Sequence, residues 1–196
     1  MAFDGRLTEI TAPTVEPVDL ATAKLHLHVE PADQEQDSYI QDLITAARIQ
    51  ATRETARQLI SASYKYRLDQ FPASLELPRP PLQSVTSVEY VDTGGATQTL
   101  SASSYTVVIE AEPGFIVEAI NKTWPDVQDV PNAVVVTFVA GYGATPAAVP
   151  MDLRQGVLML VEHWFRHRGP VDDMARHNVP RTVDALFGGS RIASLA

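Results

Sequence analysis

The chain contains no cysteine, which excludes disulfides, thiolate metal sites and cysteine nucleophiles. Long apolar runs are missing too. The most hydrophobic stretch, 151–165, is broken by Asp152, Arg154, Gln155, Glu162 and His163, short of the ~18–20 apolar residues that a membrane span requires. The first residues, Met1-Ala2-Phe3-Asp4-Gly5-Arg6, have no basic region leading into an apolar one, so no signal peptide is expected. Positive charge is scarce: 15 Lys and Arg stand against 24 Asp and Glu, for a formal charge of −9. That balance disfavours a sequence-independent grip on nucleic acid, which depends on cations neutralising phosphates. It is compatible with a surface that DNA merely passes, because a wall of like charge repels DNA and keeps it from sticking.

What is present suits one soluble domain with room for an appendage. The 196 residues are 45% hydrophobic and 20% charged, enough to bury a full core. Residues 1–17 are rich in Thr and Pro and read as an extended arm. Asp19 then caps a short helix over about 19–28, stopped by Glu30-Pro31. Asp33 with Gln36 three residues on is a candidate capping box for a second helix, about 34–60. Its apolar face is Ile40, Leu43, Ile44, Ala47 and Ala51.

The period then changes to two. Tyr64, Tyr66 and Leu68 alternate with Lys65, Arg67 and Asp69, a half-buried strand. Further strands are expected at 75–77, 85–91, 97–100, 105–109 and 115–120, with Asp92-Thr93-Gly94-Gly95 as a hairpin turn. Ala133–Ala140 is the most apolar strand and hence the central one. A third helix, about 150–167, carries Leu153, Val157, Leu160, Val161 and Trp164 on one stripe, and Gly169-Pro170 stops it. Helices, then antiparallel strands, then a helix make the class α+β rather than βαβ.

Little in the chain suggests chemistry. It has no Gly-x-Ser-x-Gly elbow and no Gly-x-x-x-x-Gly-Lys loop. His26 and His28 are two apart on a helix and diverge. His163 and His167 have the spacing of a metalloprotease pair, but Trp164 follows His163 where a general-base Glu would be needed. A metal-dependent enzyme built on His163 and His167 is therefore the weaker alternative. Asp172-Asp173 reads as a solvated charge pair, and Trp124-Pro125 and Tyr142 as packing residues. No catalytic, metal or cofactor residue is assigned.

The C-terminus is more informative. After the polar stretch 169–178 the chain turns apolar again, with Val183, Leu186 and Phe187 at i, i+3, i+4 behind Val179-Pro180. So short a helix is unstable alone. Burying Val183, Leu186, Phe187 and Ile192 contributes roughly 6–12 kcal/mol gross, and ordering roughly ten residues costs about as much again. One such tail therefore binds weakly, whereas a ring of copies makes a firm joint through effective concentration. Folding back onto its own core is the other outcome the pattern allows.

Several segments in order resemble the head–tail connector (adaptor) proteins of long-tailed bacteriophages and gene transfer agents. These are 18–27, 39–48, 55–60, 75–85, Ala140-Gly141-Tyr142-Gly143, 149–155 and 179–191. The sequence departs from that pattern at Ala56, where Gly is usual, at Leu186-Phe187, where Leu-Leu is usual, and at Ser190, where an aromatic precedes the tail arginine. The resemblance implies an α+β protomer with a helical core, made of two N-terminal helices plus one long C-terminal helix. That core would carry an inserted antiparallel β-sheet/hairpin region and an extended C-terminal tail. Residues 1–17 would be the arm, 18–169 the connector domain with strands between 63 and 140, and 170–196 the portal-docking tail. The implied role is a virion adaptor ring of twelve copies, assembled in the bacterial cytoplasm and set between the portal and a stopper or tail terminator, with DNA passing as cargo. The portal contacts would be Val179, Pro180, Val183, Leu186, Phe187, Arg191 and Ile192. Another neck or tail-completion ring is the alternative within the same class.

Overall fold

The structure is a computed structural model that describes residues 5–167 and 181–192. It divides into two compact units. One comprises residues 5–13, 61–142 and 192; the other comprises 14–60, 143–167 and 181–191.

The first unit is built on β-strands, with one short 3-10 turn at Ala102–Ser104. One antiparallel sheet runs β1 (Arg6–Thr11), β2 (Ala62–Leu68), β8 (Val134–Ala140), β4 (Leu82–Val91), β5 (Thr97–Thr99) in spatial order. A second runs β3 (Ser74–Glu76), β7 (Phe115–Glu118), β6 (Tyr105–Val108). β8 lies at the centre of the larger sheet, and its Val134, Val136, Phe138 and Ala140 are buried in strict alternation. On one side Phe138 faces Tyr64 and Val136 faces Tyr66; on the other they face Val85 and Val88. The rings of Tyr64 and Phe138 stack at 5.6 Å. Leu75, Leu77 and Ile116 from around the small sheet complete the same core. At the hairpin, the Asp92 carboxylate accepts the Gly94 and Ala96 N–H groups, and Gly95 takes φ 85°.

The second unit is helical: α1 (Leu20–Leu27), α2 (Asp37–Thr55), α3 (Met151–Arg166) and α4 (Arg181–Gly188). Its core is Ala23 and Leu27 of α1, Ile40, Ile44, Ala47 and Ala51 of α2, and Leu153, Val157, Leu160 and Val161 of α3. Asp19 caps α1 by accepting the Thr22 N–H at 2.7 Å. Glu16 ties the segment before α1 to α2, accepting from Thr45 Oγ1 and from Arg48 Nε.

This architecture corrects the expected helical core with an inserted β region and one long C-terminal helix. The described residues hold four helices and two antiparallel sheets of eight strands, a mixed α+β fold. The strands bury one another and form a core of their own, so they are no appendage to the helices. Nor is α3 the last helix, since α4 follows it.

Smaller differences have local causes. Residues 6–11, within the expected arm, form the edge strand β1. Its side chains are mostly exposed, so no apolar alternation betrays it; backbone pairing with β2 holds it instead. The Asp33/Gln36 capping box does not form: Gln36 makes no side-chain cap, and Asp33 Oδ1 accepts the Glu35 N–H. The α1–α2 connection is organised by Lys24 instead, whose Nζ donates to the Pro31 and Asp33 carbonyls and to Asp37 Oδ1. α2 ends at Thr55, short of Ile60. There Thr55 Oγ1 donates to the Ala51 carbonyl and accepts the Arg57 N–H, while Ala56 takes the left-handed conformation, φ 58°.

Two predictions follow from these helix ends. A left-handed C-terminal residue favours glycine, so Ala56→Gly raises stability by about 0.5–1 kcal/mol in urea denaturation. At the other cap, the Asp19 carboxyl lies below its ordinary value of 3.8, chiefly because the Thr22 N–H bonds its charged form. A lowered folded-state value makes that contribution complete above the ordinary range and lost as pH falls through the lowered one. Asp19→Ala therefore costs about 0.5–2 kcal/mol near pH 7, and the gap to wild type closes in denaturation curves taken under strongly acidic conditions.

Candidate functional site at the C-terminal helix

α4 presents Val183 and Phe187 one turn apart, on one face of the helix. Both are completely buried, whereas Leu186 is half-buried and Thr182, Asp184 and Ala185 are exposed. The groove that receives them is built by α2 and α3. Its floor is Gly156, a glycine in the interior of α3, where a Cβ would collide with the edge of the Phe187 ring. A helix-interior glycine costs about 1 kcal/mol relative to alanine, and here its missing side chain is the notch that Phe187 fills.

Polar contacts fix the end of α4. The Ser190 carbonyl accepts from Arg57 Nε at 2.5 Å, and Ser190 Oγ donates to Asp152 Oδ2 at 3.1 Å. The Arg57 side chain reaches this position because α2 has already turned at Ala56, and Arg57 is itself buried. Arg191 lies 3.3 Å from Asp184 Oδ1 and 3.6 Å from Glu54 Oε2. These ion pairs are partly exposed and contribute ~0–1 kcal/mol each. Ser190 thus gives both its carbonyl and its hydroxyl to this joint.

Of the residues expected to contact a partner, Val183 and Phe187 are therefore in the helical unit's own core, Leu186 lies at its margin, and Arg191 and Ile192 are partly accessible. Val179 and Pro180 lie outside the described residues, as do Asp172 and Asp173. The residues that sequence reasoning missed are those forming the receiving side: Arg57, Asp152 and Gly156. The one signal for them was Gly156, a glycine set in an otherwise apolar helical run.

The histidines form a different cluster. The rings of His163 and His167 are 4.7 Å apart, and His167 Nδ1 lies 2.7 Å from the His163 carbonyl. His163 is held below the usual histidine range, first by burial and then by the neighbouring His167. His26 Nε2 is 3.1 Å from Glu162 Oε2, and Arg166 pairs with the other oxygen of Glu162 at 2.8 Å. Among the described residues no three or more His, Asp or Glu side chains are grouped to hold a metal ion. Trp124 stacks on Phe71 at 4.7 Å in the β unit, with Tyr90 edge-on to Phe71.

No protein-family model matches the chain, and no curated protein is recognisably similar to it in sequence. Its fold does match solved structures. A chain from the neck of an empty GTA (gene transfer agent) particle, computed with C6 symmetry, superposes with a TM-score of 0.81 at 24% identity, covering 97% of both chains. A chain from the virion of a native GTA particle gives 0.77 at 26% identity, again over 97% of each. A chain from the neck of a native GTA particle, computed with C12 symmetry, gives 0.74 at 26% identity with the same coverage.

The packing of α4 gives a direct test. Phe187→Ala removes the side chain that fills the notch and costs about 3–5 kcal/mol if the site does not collapse. Gly156→Leu closes the notch and releases α4 while leaving Phe187 in place. Limited proteolysis checks both: each variant is cut in the C-terminal region faster than wild type.

Proposed function

We propose that this chain is a structural component of a virion neck. It acts there as an adaptor protomer, joining a ring of copies to the portal on one side and to a stopper or tail terminator on the other. The observation that carries this reading is the fold match to neck chains of GTA particles over 97% of both chains. The C12 symmetry of one such neck supports a ring of twelve. The formal charge of −9 suits a ring through which DNA slides without sticking.

In this reading residues 170–196 engage the portal, with Val179, Pro180, Val183, Leu186, Phe187, Arg191 and Ile192 as the contacting residues. For Val183 and Phe187 to do so, α4 leaves its own groove. The exchange keeps apolar burial roughly level, because two apolar side chains move from one apolar surface to another. The ion pairs given up by Arg191 are weak, and the bonds of Ser190 to Arg57 and Asp152 are the cost that the portal contact has to offset. Repeating the exchange around a ring turns a marginal contact into a firm one.

The absence of native cysteine makes the test clean. Cysteines replacing Asp152 and Ser190, whose side chains touch, give a reducible cross-link that holds α4 in its groove. The oxidised protein should fail to bind portal in a pull-down, the same protein after reduction should bind, and truncation after Gly169 should abolish binding. Equal binding by the oxidised and reduced forms would show that the buried face of α4 is no portal anchor.

A further inference from the structure

α1 is apolar on opposite sides. Its inner side, Ala23 and Leu27, is buried against the other helices of its unit, yet Leu25 on the outer side is 79% exposed with Ala21 exposed one turn before it. At 100° per residue, Ala21 and Leu25 share one line along the helix, facing away from Ala23 and Leu27. A helix with apolar residues on both sides is normally covered on both sides. Beside the exposed line lies a cleft of about 620 Å³, lined by apolar Leu20, Ala21, Leu25, Val29 and Pro31 together with His28, Glu30 and the Lys24–Asp37 pair.

Charge distinguishes the possible occupants. α1 carries no carboxylate, whereas α2 has Asp37, Asp42 and Glu54, α3 has Asp152 and Glu162, and α4 has Asp184. Its one strong cation, Lys24, is buried and spent on Asp37 and two carbonyls. A nucleic acid finds no free ammonium or guanidinium on this face. Two copies of a chain with formal charge −9 repel each other on balance, and the outer line of α1 adds no carboxylate to that repulsion while offering Leu25 and Ala21 for apolar burial.

We infer that the outer face of α1, centred on Leu25 and Ala21, is the surface through which one copy of this chain contacts the next copy in the ring. This rests on the ring reading given above. Contacts in a cyclic ring are heterologous, so Leu25 packs on a different surface of the neighbouring copy and not on its own counterpart.

The experiment co-produces the full-length chain with the portal protein of its own particle and counts copies per portal by native mass spectrometry. Wild type gives a closed ring. Leu25→Arg and, independently, Ala21→Arg lower the yield of closed rings by about tenfold or more, while thermal unfolding of each purified variant matches wild type because both sites are exposed. Ile120→Arg places the same charge at another exposed apolar residue, 90% accessible in the β unit, and assembles normally. Full rings from both α1 variants overturn the contact while leaving the ring reading intact, and so does equal failure of all three variants. If wild type itself forms no ring, the ring reading falls, and this contact falls with it.

Discussion

The Lys24 ammonium decides how the helical unit is put together. Its three oxygen partners are the Pro31 and Asp33 carbonyls and the Asp37 carboxylate, so one buried cation closes the loop between α1 and α2 and also sits at the first residue of α2. A buried charge stripped of its partner costs about 3–5 kcal/mol, which makes the arrangement close to all-or-none. With Lys24 turned inward, the rotation of α1 about its axis is set. Ala23 and Leu27 face the core, and Leu25 is left outside. The exposed apolar line is thus the far side of a constraint that begins with one lysine.

The same constraint shows why some of the fold was legible in the sequence and some was not. The long apolar periods were readable: the α2 face at Ile40, Ile44, Ala47 and Ala51, the α3 stripe, and β8 as the central strand all appear where their spacing places them. Local chemistry of single residues was less readable. Asp33 and Gln36 have the spacing of a capping box, but Lys24 claims the loop first. Ala56 is an ordinary helix former by propensity, yet Thr55 turns the chain there. β1 has no buried face to give it a period, since its partner is the backbone of β2. The largest misreading was architectural. Strand alternation is visible in the sequence, but nothing local says that the strands bury one another instead of covering the helices.

At the C-terminus, the amphipathic spacing was legible in the sequence and the surface that receives it was not. Val183 and Phe187 carry the spacing of an amphipathic helix, and that spacing fits any apolar groove. Gly156 and Arg57 supply the specificity, one by an absence of atoms and the other by a single donor. Neither side of the joint is extensive. A short helix held by two buried side chains and one turn of polar contacts has the energetic character of a reversible closure, the property an element needs if it is to serve two partners in succession.

The order in which the units are threaded has a consequence for synthesis. Each unit is discontinuous: the β unit takes residues 5–13 and then 61–142, and the helical unit takes 14–60 and then 143–191 apart from the undescribed stretch 168–180. Strand β2 at residue 62 cannot find its central partner until β8 has been made at residue 140, and α2 waits still longer for α3 and α4. Contacts this distant in sequence fold slowly, and here they keep the β core open until β8 has been made and the helical core open until α3 has been made. Because α4 follows α3 in the chain, a nascent chain that stops between them carries an empty Gly156 notch. Filling that notch therefore reports that α4 has been made.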